Sequence, residues 1–227
     1  MVLLDAQQAF ELWAEVYDDT PNPIVQLSER TILERISGSS RALRVLDLAC
    51  GTCRLLPELL KLGYQCCVGV DSSEAMLRKA GLRGEIKSNL IRADAHALPL
   101  ASGSIDLLIL ALALSYFKDL GRIASELSRV LGPKGRILCT DFHPTACQYG
   151  WKRSSKTKTT DIEVSYFDHS IRNVGISFSK YFELIGTTDL QFGKKEFSSF
   201  VRAGKSHVFE ETRKIPALVF FDWIKPA

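Results

Sequence analysis

From Leu43 onward, short apolar runs alternate with stretches of helical periodicity. This alternation constrains the fold more than any other feature, because a strand buried on both faces and followed by a helix is the repeating unit of a parallel sheet. The runs predict strands near residues 43–48, 66–70, 88–92, 105–110 and 135–141, with helices near 54–62, 74–80 and 119–131. The tetrapeptide Gly132-Pro133-Lys134-Gly135 stops the last of these helices before the fifth strand. Two further strands are expected over 182–185 and 217–224. The expected class is therefore α/β, a Rossmann-like seven-stranded sheet with helices on both faces.

The flanking segments read differently. Residues 6–18 place Phe10, Trp13 and Tyr17 at three- and four-residue spacing, which predicts an amphipathic helix. Thr20-Pro21-Asn22-Pro23 is expected to end it. A second helix is predicted over about 25–36, closed by Ser37-Gly38-Ser39-Ser40. Residues 145–168 are rich in Lys, Ser and Thr and read as an insertion, with a helix expected from His169. No internal repeat is found. The chain thus reads as one domain over 1–227: a helical segment 1–40, a core 41–144, the insertion 145–168 and the last part of the sheet over 169–227.

Composition excludes several classes. Hydrophobic residues make up 46% and charged ones 24%, a globular balance. The longest apolar run, Leu107 to Leu114, is far short of the roughly 20 residues that span a bilayer. Acidic residues follow Val2 to Leu4 at once, so no signal segment is read. The six cysteines fall mostly in strand-like stretches and read as reduced thiols, which points to a cytoplasmic protein. Cys50 and Cys53 form a C-x-x-C, but neither a second pair nor nearby histidines complete a tetrahedral site, so no metal is expected. Net charge is +3. Residues 151–227 hold 13 Lys and Arg against 9 Asp and Glu, which reads as a solvated face and not as a nucleic-acid surface. No nucleic-acid partner and no membrane are expected.

The strongest local signal is Val45-Leu46-Asp47-Leu48-Ala49-Cys50-Gly51-Thr52-Cys53-Arg54. A buried strand here runs into a turn of small residues and then a helix, so the backbone can approach a ligand and free amides face it. The next strand ends Val68-Gly69-Val70-Asp71-Ser72, and Asp71 follows Gly51 by 20 residues. A carboxylate there can accept both hydroxyls of a ribose. The competing reading makes Asp71 a turn or cap residue for the helix that contains Met76. The dinucleotide fingerprint G-x-G-x-x-G would need glycine at 49, 51 and 54, where the chain has Ala49, Gly51 and Arg54. A third acid, Asp94, follows the third strand, which favours an adenosine ligand other than a dinucleotide.

With these residues in view, the chain resembles the class I S-adenosylmethionine-dependent methyltransferases, in the small-molecule branch (methyltransferase type 11 domain) that includes ubiquinone- and biotin-pathway enzymes. Six stretches carry the resemblance in the family's order: WAEVYD from Trp13, DLACGTC from Asp47, VGVDSSEAML from Val68, RADAHALPL from Arg92, SIDLLILALALSYF from Ser104 and ELSRVLGPKGRIL from Glu126. The resemblance implies a last strand that is antiparallel and inserted beside the fifth, and an N-terminal lid over 1–40. It implies that Asp47, Ala49, Gly51 and Thr52 shape the pocket for the methionine part of S-adenosylmethionine. Asp71 and Ser72 would serve the ribose. Asp94, Ala95 and His96 would flank the adenine and Met76 would pack on it, Ala111 would line the loop after the fourth strand, and Trp13 and Tyr17 would close over the cofactor. The chain departs from the pattern at Ala49 and Cys53, where the family carries glycines. A thiol at 53 is expected to crowd the methionyl moiety and weaken binding, which keeps open a cofactor-binding protein without methyl transfer.

Methyl transfer from a sulfonium is an in-line displacement that depends on positioning, and a base is needed only when the nucleophile must lose a proton. His143 follows the fifth strand, where ligands of open α/β sheets bind, and is the first candidate base; the alternative is a turn histidine bonded to Asp141. His169 is the second candidate and could equally start a helix. Tyr116 is expected at the acceptor pocket. No Asn-Pro-Pro-Tyr type of tetrapeptide is found, so the expected acceptor is a small molecule methylated on oxygen in preference to nitrogen or carbon. An RNA or protein acceptor would rest on Lys152, Arg153, Lys156 and Lys158 alone. The expected assembly is a monomer or homodimer.

Overall fold

Successive side chains of the central strands go to opposite faces of the sheet and both faces are buried. Val45, Leu107 and Ile109 pack with Ile32, Ile36, Leu55, Leu56 and Leu59 on one side. Leu46, Leu108 and Leu110 pack with Ile123, Leu127, Val174 and Phe178 on the other. A continuous apolar run is what a strand between two helical layers requires. The computed structural model describes residues 1–158 and 160–227, and side chains at all of them other than 85, 87 and 88.

In chain order the elements are β1 (Val2–Leu4), α1 (Ala6–Trp13), α2 (Pro23–Ile36), β2 (Arg44–Leu48), α3 (Leu55–Lys61), β3 (Cys66–Asp71), α4 (Glu74–Gly81), β4 (Leu90–Arg92) and β5 (Ile105–Ala111). There follow α5 (Leu120–Val130), β6 (Leu131–Phe142), α6 (Pro144–Gln148), β7 (Ser154–Lys156), β8 (Asp161–Val164), α7 (Ile171–Ser179), β9 (Glu183–Leu190), α8 (Phe197–Arg202), α9 (Phe209–Thr212) and β10 (Leu218–Ile224). The main sheet has seven strands in the order β4-β3-β2-β5-β6-β10-β9. β10 lies between β6 and β9 and runs antiparallel to both, while β2 to β6 pair in parallel. The expected α/β sheet with an antiparallel last strand is the observed one.

Four expectations change. The first helix ends at Trp13 and not near residue 18, because residues 14–19 form turns. Thr20-Pro21-Asn22-Pro23 opens the second helix: Asn22 accepts the Ile24 amide at 3.0 Å and Pro23 takes the first helical position, where its missing N–H costs nothing. The strand expected over 182–185 runs to Leu190, since its exposed edge alternates through Gly186-Thr187-Thr188-Asp189. The helix expected from His169 begins at Ile171, with Ser170 as its cap, so His169 stands just outside it.

The insertion is not separate from the N-terminus. β1 pairs in parallel with β8, and β7 with β8 in antiparallel, giving a second, three-stranded sheet. Ala9, Trp13, Ile162 and Val164 share one apolar cluster with Met76. Lid and insertion therefore form a single cap. Thr159, within the expected insertion, lies outside the described residues.

Candidate active site

The cap covers the carboxyl ends of the strands, and two groups of residues lie beneath it. The first is the turn after β2. Ala49, Gly51 and Cys53 all have left-handed backbone, with φ of 54°, 56° and 58°. That conformation is cheap for glycine and costs a side-chain-bearing residue of order 1 kcal/mol or more. The turn is held from the next strand: Asp71 accepts the Gly51 amide at 2.7 Å on one oxygen and the Ser73 amide at 2.8 Å on the other. Burial pushes the Asp71 carboxyl above its ordinary range, and these backbone amides pull it back. The turn reading of Asp71 thus describes real bonds, while the cap of α4 is Ser73, and these bonds leave lone pairs on both Asp71 oxygens for a ligand.

Asp47, at the end of β2, is buried, and its carboxyl is pushed up to about 8 by burial and then by the facing carboxylates of Asp71 and Glu29. Thr52 donates to Asp18 at 2.8 Å, and Arg83 donates to the other oxygen of Asp18 at 2.9 Å. Glu11 accepts the Ser73 hydroxyl at 2.8 Å and lies against the Ala75 amide, at the start of α4. The N-terminal segment is therefore tied to the turn after β2 by Asp18 and to α4 by Glu11, and neither role is readable from local pattern.

Cys53 turns away from any ligand. It is fully buried, and its Sγ would lie 2.7 Å from a Cβ placed at Gly69, with the Cys50 Sγ 3.0 Å from the same point. The missing side chain of Gly69 is the space both thiols occupy. The expectation that the thiol crowds the methionyl side is corrected: the volume goes into the core. The Cys53 thiol, together with burial, raises the Cys50 thiol well above its usual range.

Trp13 and Tyr17 stand in edge contact, 5.2 Å between ring centres, over buried Met76. Burial pushes the Tyr17 hydroxyl up to about 12. The Trp13 indole N–H is buried with no hydrogen-bond partner among the described residues. Ser72 is exposed beside Asp71. His96 Nδ1 and its amide both meet Asp94 Oδ1, at 2.8 and 2.9 Å, and this holds the Asp94 carboxyl below its ordinary value. Ala95 is buried in this turn, and Ala111 ends β5 just before Leu112, whose φ of 58° is a further strained position at the site's edge.

The second group lines a narrow cleft, with a free volume of about 30 Å³, at the carboxyl ends of β5 and β6. Ser115, Asp141, Arg153, Tyr166 and His169 reach it. His169 Nε2 lies 2.8 Å from the Phe117 carbonyl, an acceptor only, so the neutral ring carries its proton on Nε2 and leaves the Nδ1 lone pair open. His143 does not line this cleft. Its Nδ1 accepts the Thr145 amide at 3.1 Å as the cap of α6, and its Nε2 lies 3.3 Å from Asp189, not Asp141. Asp141 instead accepts the Ser115 and Phe142 amides, each at 2.6 Å. Tyr116 links the two groups, with its ring 5.3 Å from Phe10 of the lid and 6.0 Å from the Arg153 guanidinium.

Three of the four cations that pointed to RNA are engaged within the fold: Arg153 is buried, Lys152 pairs with Glu163 and Lys158 with Glu15. Among the described residues no group of three or more His, Cys, Asp or Glu is placed to hold a metal ion, and no helix is long and apolar enough to cross a membrane.

Residues 46–139 match the family model described as a methyltransferase domain. The demethylmenaquinone methyltransferase of Lactococcus lactis subsp. lactis is 36% identical over 115 residues, covering 48% of this chain and 46% of that protein. The malonyl-[acyl-carrier protein] O-methyltransferase of Halorhodospira halophila is 32% identical over 142 residues, covering 61% of this chain and 48% of its own length. The chain thus spans about half the length of the curated relatives it matches. A solved S-adenosylmethionine-dependent methyltransferase from Mesorhizobium loti superposes with a TM-score of 0.66 at 20% identity, over 87% of this chain and 98% of that one. Over residues 46–139 the chain thus matches a methyltransferase domain, and its fold is that of the solved S-adenosylmethionine-dependent methyltransferase.

Proposed function

We propose that the chain binds S-adenosylmethionine beneath the cap and transfers its methyl group to an oxygen of a small acceptor held in the cleft at the ends of β5 and β6. The observation that carries this reading is His169, which lines that cleft with its Nε2 committed to the Phe117 carbonyl, so that Nδ1 is its open nitrogen.

The residues present suit the cofactor. The lone pairs left on Asp71 match a ribose diol, and the unpartnered Trp13 N–H matches an acceptor on the ligand, since a buried donor left unpaired costs about 1–3 kcal/mol. Asp47 offers a carboxylate to the methionyl ammonium. Gly51, Thr52 and the Ala49 backbone surround that end, while Met76, Asp94, Ala95 and His96 serve the adenine. Ser72 and Ala111 complete the rim.

Bound S-adenosylmethionine supplies an electrophilic methyl group. The protein's part is to exclude water with the cap, to orient the acceptor against Phe142, Tyr166 and Ser115, and to take the hydroxyl proton at His169 Nδ1 as the oxygen becomes nucleophilic. The two relatives named above act on different acceptors, which fits a shared core over 46–139 and a cleft most of whose walls come from outside it.

The test is calorimetric titration with S-adenosylmethionine and S-adenosylhomocysteine, followed by transfer of a labelled methyl group to a panel of phenols, acids and amines. Micromolar binding of both, with label on phenolic or carboxylic oxygen, is the expected result. Binding without transfer to any member of the panel would leave a cofactor-binding protein and remove the enzyme reading.

A further inference from the structure

Arg153 is buried in an unusual way. Its side chain is 3% exposed, yet its charge is poorly answered. One terminal nitrogen meets the Ser115 hydroxyl at 3.1 Å and Asp141 Oδ1 only at 3.4 Å. The other meets the Cys147 thiol at 3.9 Å, a weak acceptor. Nε is buried with no partner among the described residues. Asp141 answers only in part: its Oδ1 already accepts the Phe142 amide and the Ser115 hydroxyl, while its Oδ2 accepts the Ser115 amide. Burying a guanidinium without spending its donors is costly, so such donors find partners unless a ligand is to supply one.

The surroundings say what that ligand looks like. The guanidinium carbon lies 3.8 Å from the centre of the Tyr166 ring and 4.3 Å from that of Phe142, so the fork is held against two aromatic faces. Both rings line the cleft together with Arg153, Phe167 and His169. Flat walls accept a flat molecule, and a fixed fork accepts an oxygen with two lone pairs. The charge of Arg153 is partly matched by Asp141, so the partner need only be an acceptor oxygen and need not be a full anion.

We infer that Arg153 is the acceptor-positioning residue: it binds a second oxygen, carbonyl or carboxylate, on a planar acceptor whose hydroxyl faces His169. This deepens the proposed methyl transfer and rests on it for the place of the hydroxyl. Because β7, β8 and the adjoining loop are tied to the N-terminal strand, Arg153 also makes acceptor recognition depend on a closed cap.

The test measures ligand affinity by calorimetry on protein saturated with S-adenosylhomocysteine, using phenol, 2-hydroxyacetophenone and 2-hydroxybenzoate, for the unaltered chain and for Arg153→Gln and Arg153→Lys. The ketone and the acid should bind at least about tenfold better than phenol, the gain of a hydrogen bond to a charged group. Arg153→Gln should erase that preference, and Arg153→Lys should restore it for the acid only, since lysine keeps the charge but not the fork. Equal affinity for all three ligands, no binding of any, or a preference that survives Arg153→Gln overturns the inference. Should Arg153→Gln fail to fold, the three ligands on the unaltered chain still decide. Failure of S-adenosylhomocysteine itself to bind would strike the methyl-transfer reading instead.

Discussion

The Asp71 carboxylate accepts the Gly51 amide at 2.7 Å, so the acid at the end of β3 and the turn after β2 are one structural unit. The carboxylate that would serve the ribose also sets the backbone that would meet the methionyl group. Asp71→Asn should therefore damage both. One of the two amides, from Gly51 or Ser73, would face an NH2 group in place of an oxygen. Losing an acceptor for a buried donor costs about 1–3 kcal/mol. Cofactor affinity should fall about tenfold to a hundredfold, and thermal unfolding should shift down with it. Unchanged affinity by calorimetry would remove Asp71 from the binding site.

Gly69 is small because two thiols lean on it. Gly69→Ala would put a Cβ 2.7 Å from the Cys53 Sγ and 3.0 Å from the Cys50 Sγ. Overpacking of this kind costs about 1–3 kcal/mol. In a Cys53→Ala background the cost should shrink, giving a coupling energy of about 1 kcal/mol or more in a denaturant double-mutant cycle. Additive effects would mean the thiol does not fill that space. Cys53→Gly relieves the left-handed backbone but empties a packed site, so these two effects offset one another. Cofactor affinity should stay flat, since the thiol faces the core.

The strands of the core were legible because burial on both faces leaves continuous apolar runs such as Leu107 to Leu110, and the Pro and Gly residues after Leu131 punctuate them. The loop with Asp71 was legible because strand, small-residue turn and acid recur at fixed separation. The cap was not. Val2 pairs with Ile162, a contact between distant parts of the chain that no local period reports. Arg153 sits among lysines and reads as a solvated cation until β8 and the Tyr166 ring close over it. The choice between two histidines also lay beyond local pattern, for His143 and His169 both follow a strand or loop at the right end of the sheet. Only the partners of each ring nitrogen separate them.

Asp47 gives the site a pH dependence whose sign is fixed. In the unfolded chain this carboxyl titrates near 3.8, and in the fold it is pushed up to about 8. Between those values the folded state binds more protons than the unfolded one, so this group makes stability fall as pH rises, levelling off above 8. Asp47→Asn stays neutral throughout. The variant should gain on the unaltered chain as pH rises and should be the more stable of the two at pH 9, in urea titrations at several pH values. Binding of a cationic ligand favours the ionised carboxylate, so cofactor binding at pH 7 should release up to about one proton. Calorimetry in buffers of different ionisation enthalpy measures that proton, and Asp47→Asn should abolish its release. An identical slope for both proteins would show that Asp47 ionises freely.

His169 and His143 can be told apart by what each loss leaves intact. His169→Gln retains a donor for the Phe117 carbonyl but has no basic nitrogen. Turnover should fall about 10²- to 10⁴-fold, the usual yield of a positioned base, with cofactor affinity unchanged. For a phenolic acceptor the loss should narrow as pH rises, because an acceptor that ionises in solution needs no base. His143→Ala removes the cap of α6 and the contact with Asp189, and should cost about 1 kcal/mol of stability while turnover at saturating cofactor is retained. A variant at 143 that folds, binds cofactor and fails to turn over would reverse the assignment. The proton would then leave toward β9, on the side of His143 that faces Asp189.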